Sequence, residues 1–90
     1  MARKHRPVKL KSKCKVENDG TERWFSDGEY LHRSNGLPAI LYPDGSEFYL
    51  ENNQYHRENG PAIVVRTHNG LVKDYYLRGQ EVNENGEAIF

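Results

Sequence analysis

Two dipeptides hold the residues best placed to do chemistry in this chain, His32-Arg33 and His56-Arg57. Each sets a titratable ring beside a permanent cation, which suits proton transfer or the binding of an anion. Proton transfer requires two titratable groups to converge on a pocket. Two pairs at matching positions of a repeated sequence stand side by side, so catalysis is not the expectation. Two other readings remain open. In one, ring and guanidinium bind turn carbonyls and nearby carboxylates such as Glu58; in the other, they form a contact surface for a partner. Metal binding has little support, because His5, His32, His56, His68 and Cys14 show neither a C-x2-C nor an H-x3-H spacing. No glycine run matches a phosphate-binding loop. The expectation is a non-enzymatic protein with no cofactor and no metal.

The elements that position these pairs are repeated. His32-Arg33-Ser34-Asn35-Gly36-Leu37-Pro38-Ala39-Ile40 returns as His56-Arg57-Glu58-Asn59-Gly60-Pro61-Ala62-Ile63, and an eroded copy follows at Asn83-Glu84-Asn85-Gly86-Glu87-Ala88-Ile89. Such self-similarity is the mark of an array of small units. Asp19-Gly20, Asp44-Gly45 and Asn69-Gly70 open the units as turns, since Asp and Asn tolerate the left-handed region and Gly enters it freely. Aromatic pairs follow at Trp24-Phe25, Phe48-Tyr49 and Tyr75-Tyr76, in strands. Asp27-Gly28, Asn52-Asn53 and Arg78-Gly79 make a second set of turns, and the Asn-Gly pairs of the signature a third. Short strands carry Tyr30 with His32 and Tyr55 with His56, and Pro38 to Tyr42 and Pro61 to Val65 return as strands. No stretch shows helical periodicity. The predicted fold is all-β, an antiparallel meander of about three tandem hairpin repeats at 19–43, 44–68 and 69–90, with an additional N-terminal strand. Alternation along each aromatic pair puts Trp24, Phe48 and Tyr75 on one face and Phe25, Tyr49 and Tyr76 on the other, giving an aromatic strip that is either cross-strand glue or a binding surface.

The 90 residues make one domain with a thin interior, since only 36% are hydrophobic. Residues 1–7 read as a disordered basic arm, and 8–90 as a single β-repeat domain. From Val8 to Val16 the chain alternates strictly: Val8, Leu10, Cys14 and Val16 form an apolar side, and Lys9, Lys11, Lys13 and Lys15 a charged one. The lysines are either a guarded edge or a row for phosphates and acidic groups. Cys14, on the apolar side, is expected to act as a small buried hydrophobe. The formal net charge of zero is a cancellation. Residues 1–16 hold seven basic and no acidic residues, and residues 17–90 hold six basic against thirteen acidic, a net of −7. No apolar run is long enough for a membrane span, and no leader segment is evident. The lone cysteine fits a reducing, cytoplasmic setting. The apolar end Ala88-Ile89-Phe90 is expected to pair either with the strand at 8–16 or with a second copy, as a homodimer through an edge strand.

The order of turn glycine, aromatic pair, second turn, Tyr, His-Arg, Asn-Gly, Pro-Ala and apolar strand resembles the MORN-type repeats. It is more similar still to the tandem repeats with a His-Arg-x-Asp/Asn-Gly-Pro-Ala signature found in bacteriophages, large viruses and bacteria. The resemblance spans residues 19–90. In the third copy Val82-Asn83 stands at the His-Arg position and Glu87 at the proline, as in a terminal capping repeat. The resemblance implies an extended β scaffold used for binding, without shared catalytic machinery, and a phage or viral origin, hence the host cytoplasm. The expected function is that of a protein-interaction module, an inhibitor of a host or defence protein if phage-encoded, engaging it through the acidic, aromatic-bearing sheet with His32, Arg33, His56, Arg57, Trp24, Phe48 and Tyr75. The rival is a nucleic-acid binder led by the basic arm and Lys9, Lys11, Lys13 and Lys15.

Overall fold

The computed structural model describes residues 13–26, 30–33 and 36–89. The expected arm at 1–7, the stretch from Val8 to Ser12 with Lys9 and Lys11, the Asp27-Gly28 turn, Asn35 and Phe90 lie outside the described residues. Among the described residues nine strands form: β1 (Lys13–Val16), β2 (Glu22–Phe25), β3 (Ile40–Leu41), β4 (Glu47–Phe48), β5 (Leu50–Glu51), β6 (Gln54–Tyr55), β7 (Ile63–Thr67), β8 (Gly70–Leu77) and β9 (Gln80–Val82). There is no helix among the described residues. Seven strands make one antiparallel sheet in the order β1-β2-β3-β4-β7-β8-β9, and β5 and β6 form a separate two-stranded hairpin.

Turn chemistry explains where the strands stop. Between β1 and β2, Asp19 Oδ1 accepts the Thr21 N–H at 2.8 Å; between β3 and β4, Asp44 Oδ1 accepts the Ser46 N–H at 2.8 Å. Gly20 and Gly45 close these turns at φ of 94° and 92°, where a side chain would be strained. The turn after β9 is built alike, with Asn83 Oδ1 taking the N–H groups of Asn85 and Glu87. The third glycine behaves differently. Thr67 pairs with Gly70, so His68 and Asn69 form the two-residue turn and Gly70 opens strand β8. The β5–β6 and β8–β9 turns use consecutive left-handed residues, Asn52 with Asn53 and Arg78 with Gly79, the pattern that matches hairpin twist. The strand expected through Tyr30 and His32 is reduced to one bridge, Phe25 to Leu31.

Register decides the faces. Arg23 lies opposite Ile40, Ile40 opposite Phe48, Phe48 opposite Ile63 and Ile63 opposite Asp74, so these five share a face. The next residues along the aromatic-bearing strands, Trp24, Tyr49 and Tyr75, therefore share the other. This corrects the sequence expectation, which grouped Phe48 with Trp24 and Tyr75. Trp24 and Tyr49 each stand four residues after their turn glycine, whereas Phe48 stands three after its own, and one residue of slip reverses a side chain.

On the Phe48 face the rings form a chain. Tyr42 meets Phe48 edge-on at 5.4 Å, Phe48 lies 6.2 Å from Tyr55, and Tyr55 lies 5.3 Å from Tyr76. Ile40 and Leu50 are buried beneath this chain, with Leu31 packed beside them. Across the sheet, Ala39 and Ala62 are wholly buried at 0% exposure. Their carbonyls accept the N–H groups of Trp24 and Tyr49, so a larger residue has no room beside those rings. That is the physical content of Pro-Ala in the signature.

Two edge expectations change. Cys14 is exposed, and so is Val16, because β1 is an outer strand paired on one side by β2 and covered on neither face by described residues. Partial desolvation still pushes the Cys14 thiol above its ordinary value, and Glu22 adds to it. Ala88 bridges Val82 beyond β9, at the opposite end of the strand order from Lys13–Val16, so among the described residues these two segments do not pair.

Ala62→Leu is expected to destabilise the fold by about 1–3 kcal/mol through overpacking, read by chemical denaturation; a neutral result would show that the Tyr49 ring yields. The carboxyls of Asp19 and Asp44 are held below the usual range by the backbone N–H groups they accept. Their contribution is complete above the unfolded value and disappears as pH falls below about 4. Asn keeps the acceptor without titrating, so D19N/D44N should flatten the loss of Tm between neutral and strongly acidic pH.

Candidate functional site

The two histidines are structural acceptors. His32, buried, takes the Asn52 N–H on Nδ1 at 3.1 Å, and His56 takes the Arg78 N–H on Nδ1 at 2.9 Å. Accepting at Nδ1 places the ring proton on Nε2. Each ring thereby pins the first residue of a left-handed turn belonging to the following hairpin. The backbones agree: His32 N–H donates to Trp24 O and His56 N–H to Tyr49 O, while Arg33 N–H donates to Leu50 O and Arg57 N–H to Tyr76 O. Val82, at the eroded position, lies opposite Tyr75 and is buried instead of polar.

The arginines that follow are locked in a second way. The Arg33 guanidinium carbon sits 3.8 Å from the Trp24 ring centroid, and that of Arg57 sits 3.9 Å from the Tyr49 centroid. Stacking of this kind stabilises by about 0.5–1 kcal/mol at exposed sites, and more where water is excluded. Each fork also donates one bond to a proline carbonyl of its own loop, Arg33 to Pro38 at 3.4 Å and Arg57 to Pro61 at 3.2 Å. A Cβ on Gly60 would come within 3.1 Å of the Arg57 guanidinium carbon, so a larger residue there would press on the guanidinium and shift it by a few tenths of an ångström. Its counterpart Gly36 meets nothing within 4 Å but has φ of 71°, a backbone reason instead. Tyr49 is held in turn, its hydroxyl donating to Glu47 at 2.8 Å. Burial, reinforced by that bond, raises the Tyr49 phenol above its ordinary value.

Between the two signature loops lies a groove of about 320 Å³, lined by Arg33, Tyr49, Glu51, His56, Arg57 and Glu58 among others. A smaller recess of about 200 Å³ shares Glu51, His56 and Glu58 and reaches Arg78. Among the described residues, neither Arg33 nor Arg57 has a carboxylate at salt-bridge distance; the ion pairs are Arg23 with Glu17 at 2.7 Å and a long contact of 3.7 Å from His56 Nε2 to Glu58. Two pre-set guanidinium forks with unclaimed donors can bind carboxylates or phosphates. Among the described residues, no three His, Cys, Asp or Glu side chains are placed to hold a metal ion.

The structure thus brings together four expected site residues, Arg33, His56, Arg57 and, at its margin, Trp24 beneath Arg33. Phe48 lies on the opposite face in the ring chain, and Tyr75 lies opposite Val82 in the last hairpin. Lys13 and Lys15 are exposed on β1, away from the groove lining; Lys9 and Lys11 lie outside the described residues. Tyr49 and Glu51 were missed as site residues. The spacing from Gly45 identifies Tyr49 as the partner of Trp24; Glu51 has no signal in sequence, because a hairpin carries it there. Compared with protein-family models, curated proteins and solved structures, the chain matches none. No described helix is long and apolar enough to cross a membrane.

His32→Phe keeps the ring and removes the acceptor, leaving the Asn52 N–H without its partner. A loss of about 0.5–1.5 kcal/mol is expected by urea denaturation, the net worth of one hydrogen bond to a turn residue that is itself exposed. An unchanged midpoint would mean that the turn stands without the imidazole.

Proposed function

We propose that this chain is a non-enzymatic protein-interaction module, built of MORN-like tandem β repeats and acting in the cytoplasm. The observation that carries the reading is the pair of arginines at matching places, each fixed on an aromatic face and free of carboxylates among the described residues. Rigid, desolvated Arg and aromatic groups are what dominate protein interfaces. The histidines support it from the other side, since both spend Nδ1 on backbone N–H groups and serve the scaffold. The acidic body from 17 to 90 suits a basic partner surface, such as one that receives phosphates, which accords with an inhibitor of a host or defence enzyme encoded by a phage. Exposed Lys13 and Lys15 on the edge strand support a second reading, nucleic-acid binding through the basic N-terminal stretch.

Affinity capture with the tagged chain from a host lysate, with and without nuclease, tests the two. A protein retained after nuclease and across a salt titration is the expected outcome. Recovery that needs nucleic acid, falls steeply with salt and disappears on deleting residues 1–15 would establish the second reading and defeat the first.

A further inference from the structure

We propose that the groove between the signature loops takes a polypeptide segment in which a carboxylate is flanked by a cationic side chain. This deepens the protein-interaction reading and rests on it. The carboxylate is the group that Arg33 and Arg57 are prepared for. Each fork is held by stacking at 3.8 and 3.9 Å and by one bond to a proline carbonyl, so little side-chain freedom is lost on binding. One donor of each is engaged in those proline bonds, and the rest of the fork offers the paired geometry that a carboxylate accepts. Gly60 keeps Arg57 in place by having no Cβ.

The same lining carries Glu51 and Glu58, and this selects among anions. A run of phosphates would set its charges against both glutamates, while an acidic residue with a lysine or arginine beside it satisfies both signs. Glu58 is exposed and, among the described residues, its carboxylate is engaged by the 3.7 Å contact with His56 alone, which leaves room for a cation. Tyr49, with its hydroxyl bound to Glu47, lines the groove and fixes the ring on which Arg57 rests.

The test uses the full chain and follows the Arg33 and Arg57 Nε–H signals by NMR. The probes are a short capped peptide with a central glutamate between two lysines, the same peptide with glutamine in the centre, and oligothymidylate. The glutamate peptide is expected to shift both arginine signals saturably, and the glutamine peptide to bind about tenfold more weakly. E51Q/E58Q, which leaves the arginines intact, should weaken the glutamate peptide and strengthen oligothymidylate. Equal affinity for the two peptides, shifts confined to residues outside the groove, or tighter binding of oligothymidylate by the unaltered chain would overturn the proposal. A host protein captured equally by the unaltered chain and by R33K/R57K overturns the groove while the interaction reading stands. Peptide binding in the groove with recovery of nucleic acid alone overturns the interaction reading and leaves the groove in place.

Discussion

An imidazole nitrogen accepting the N–H of a left-handed turn residue is the contact on which the arrangement depends. The β5–β6 hairpin shares no strand ladder with the seven-stranded sheet, so polar contacts of fixed geometry help tie neighbouring hairpins together. His32 ties the β5–β6 turn and His56 the β8–β9 turn, each through Nδ1. Arg78 illustrates the strength of the constraint. A long side chain is a poor choice for φ of 48°, yet it is held there with its N–H on His56.

Fixing the histidine also fixes the residue after it. Once the backbone of Arg33 or Arg57 is bonded to the following hairpin, its side chain turns back over the ring of its own hairpin, Trp24 or Tyr49, and reaches the proline carbonyl of its loop. The signature can then be understood contact by contact. His holds the next turn, Arg covers the ring, Gly clears the guanidinium, Pro offers its carbonyl and Ala leaves the ring its space. The groove arises as a by-product of stacking two such loops side by side.

The two faces consequently differ in character. One carries the ring chain from Tyr42 to Tyr76 over Ile40 and Leu50, which serves as the interior of this thin protein. The other carries Trp24 and Tyr49 capped by guanidinium groups. Burial, then the carboxylates of Glu81 and Asp74, raises the Tyr76 phenol above its ordinary value at one end of the ring chain. Near the other end Arg23 lies 5.9 Å from the Tyr42 ring and is paired with Glu17.

Much of this was legible in the sequence because it is local. Asp-Gly and Asn-Asn mark turns through their own conformational preferences, Gly and Pro exclude helix, and a signature occurring twice announces that its contacts occur twice. The absence of helix among the described residues and the antiparallel pairing of neighbouring strands follow from such short-range facts; the separation of β5 and β6 from the seven-stranded sheet does not. What only the tertiary structure decided depends on register and on distance in the chain. Phe48 and Tyr49 cannot be told apart by type, and a single step sends one to the interior and the other beneath Arg57. Cys14 and Val16 alternate like buried residues yet lie on an uncovered edge, since alternation shows which side a residue takes and cannot show whether anything covers it. Glu51 reaches the groove, and Asn52 and Arg78 reach the histidines, across 20 and 22 residues of chain, a proximity that packing alone creates.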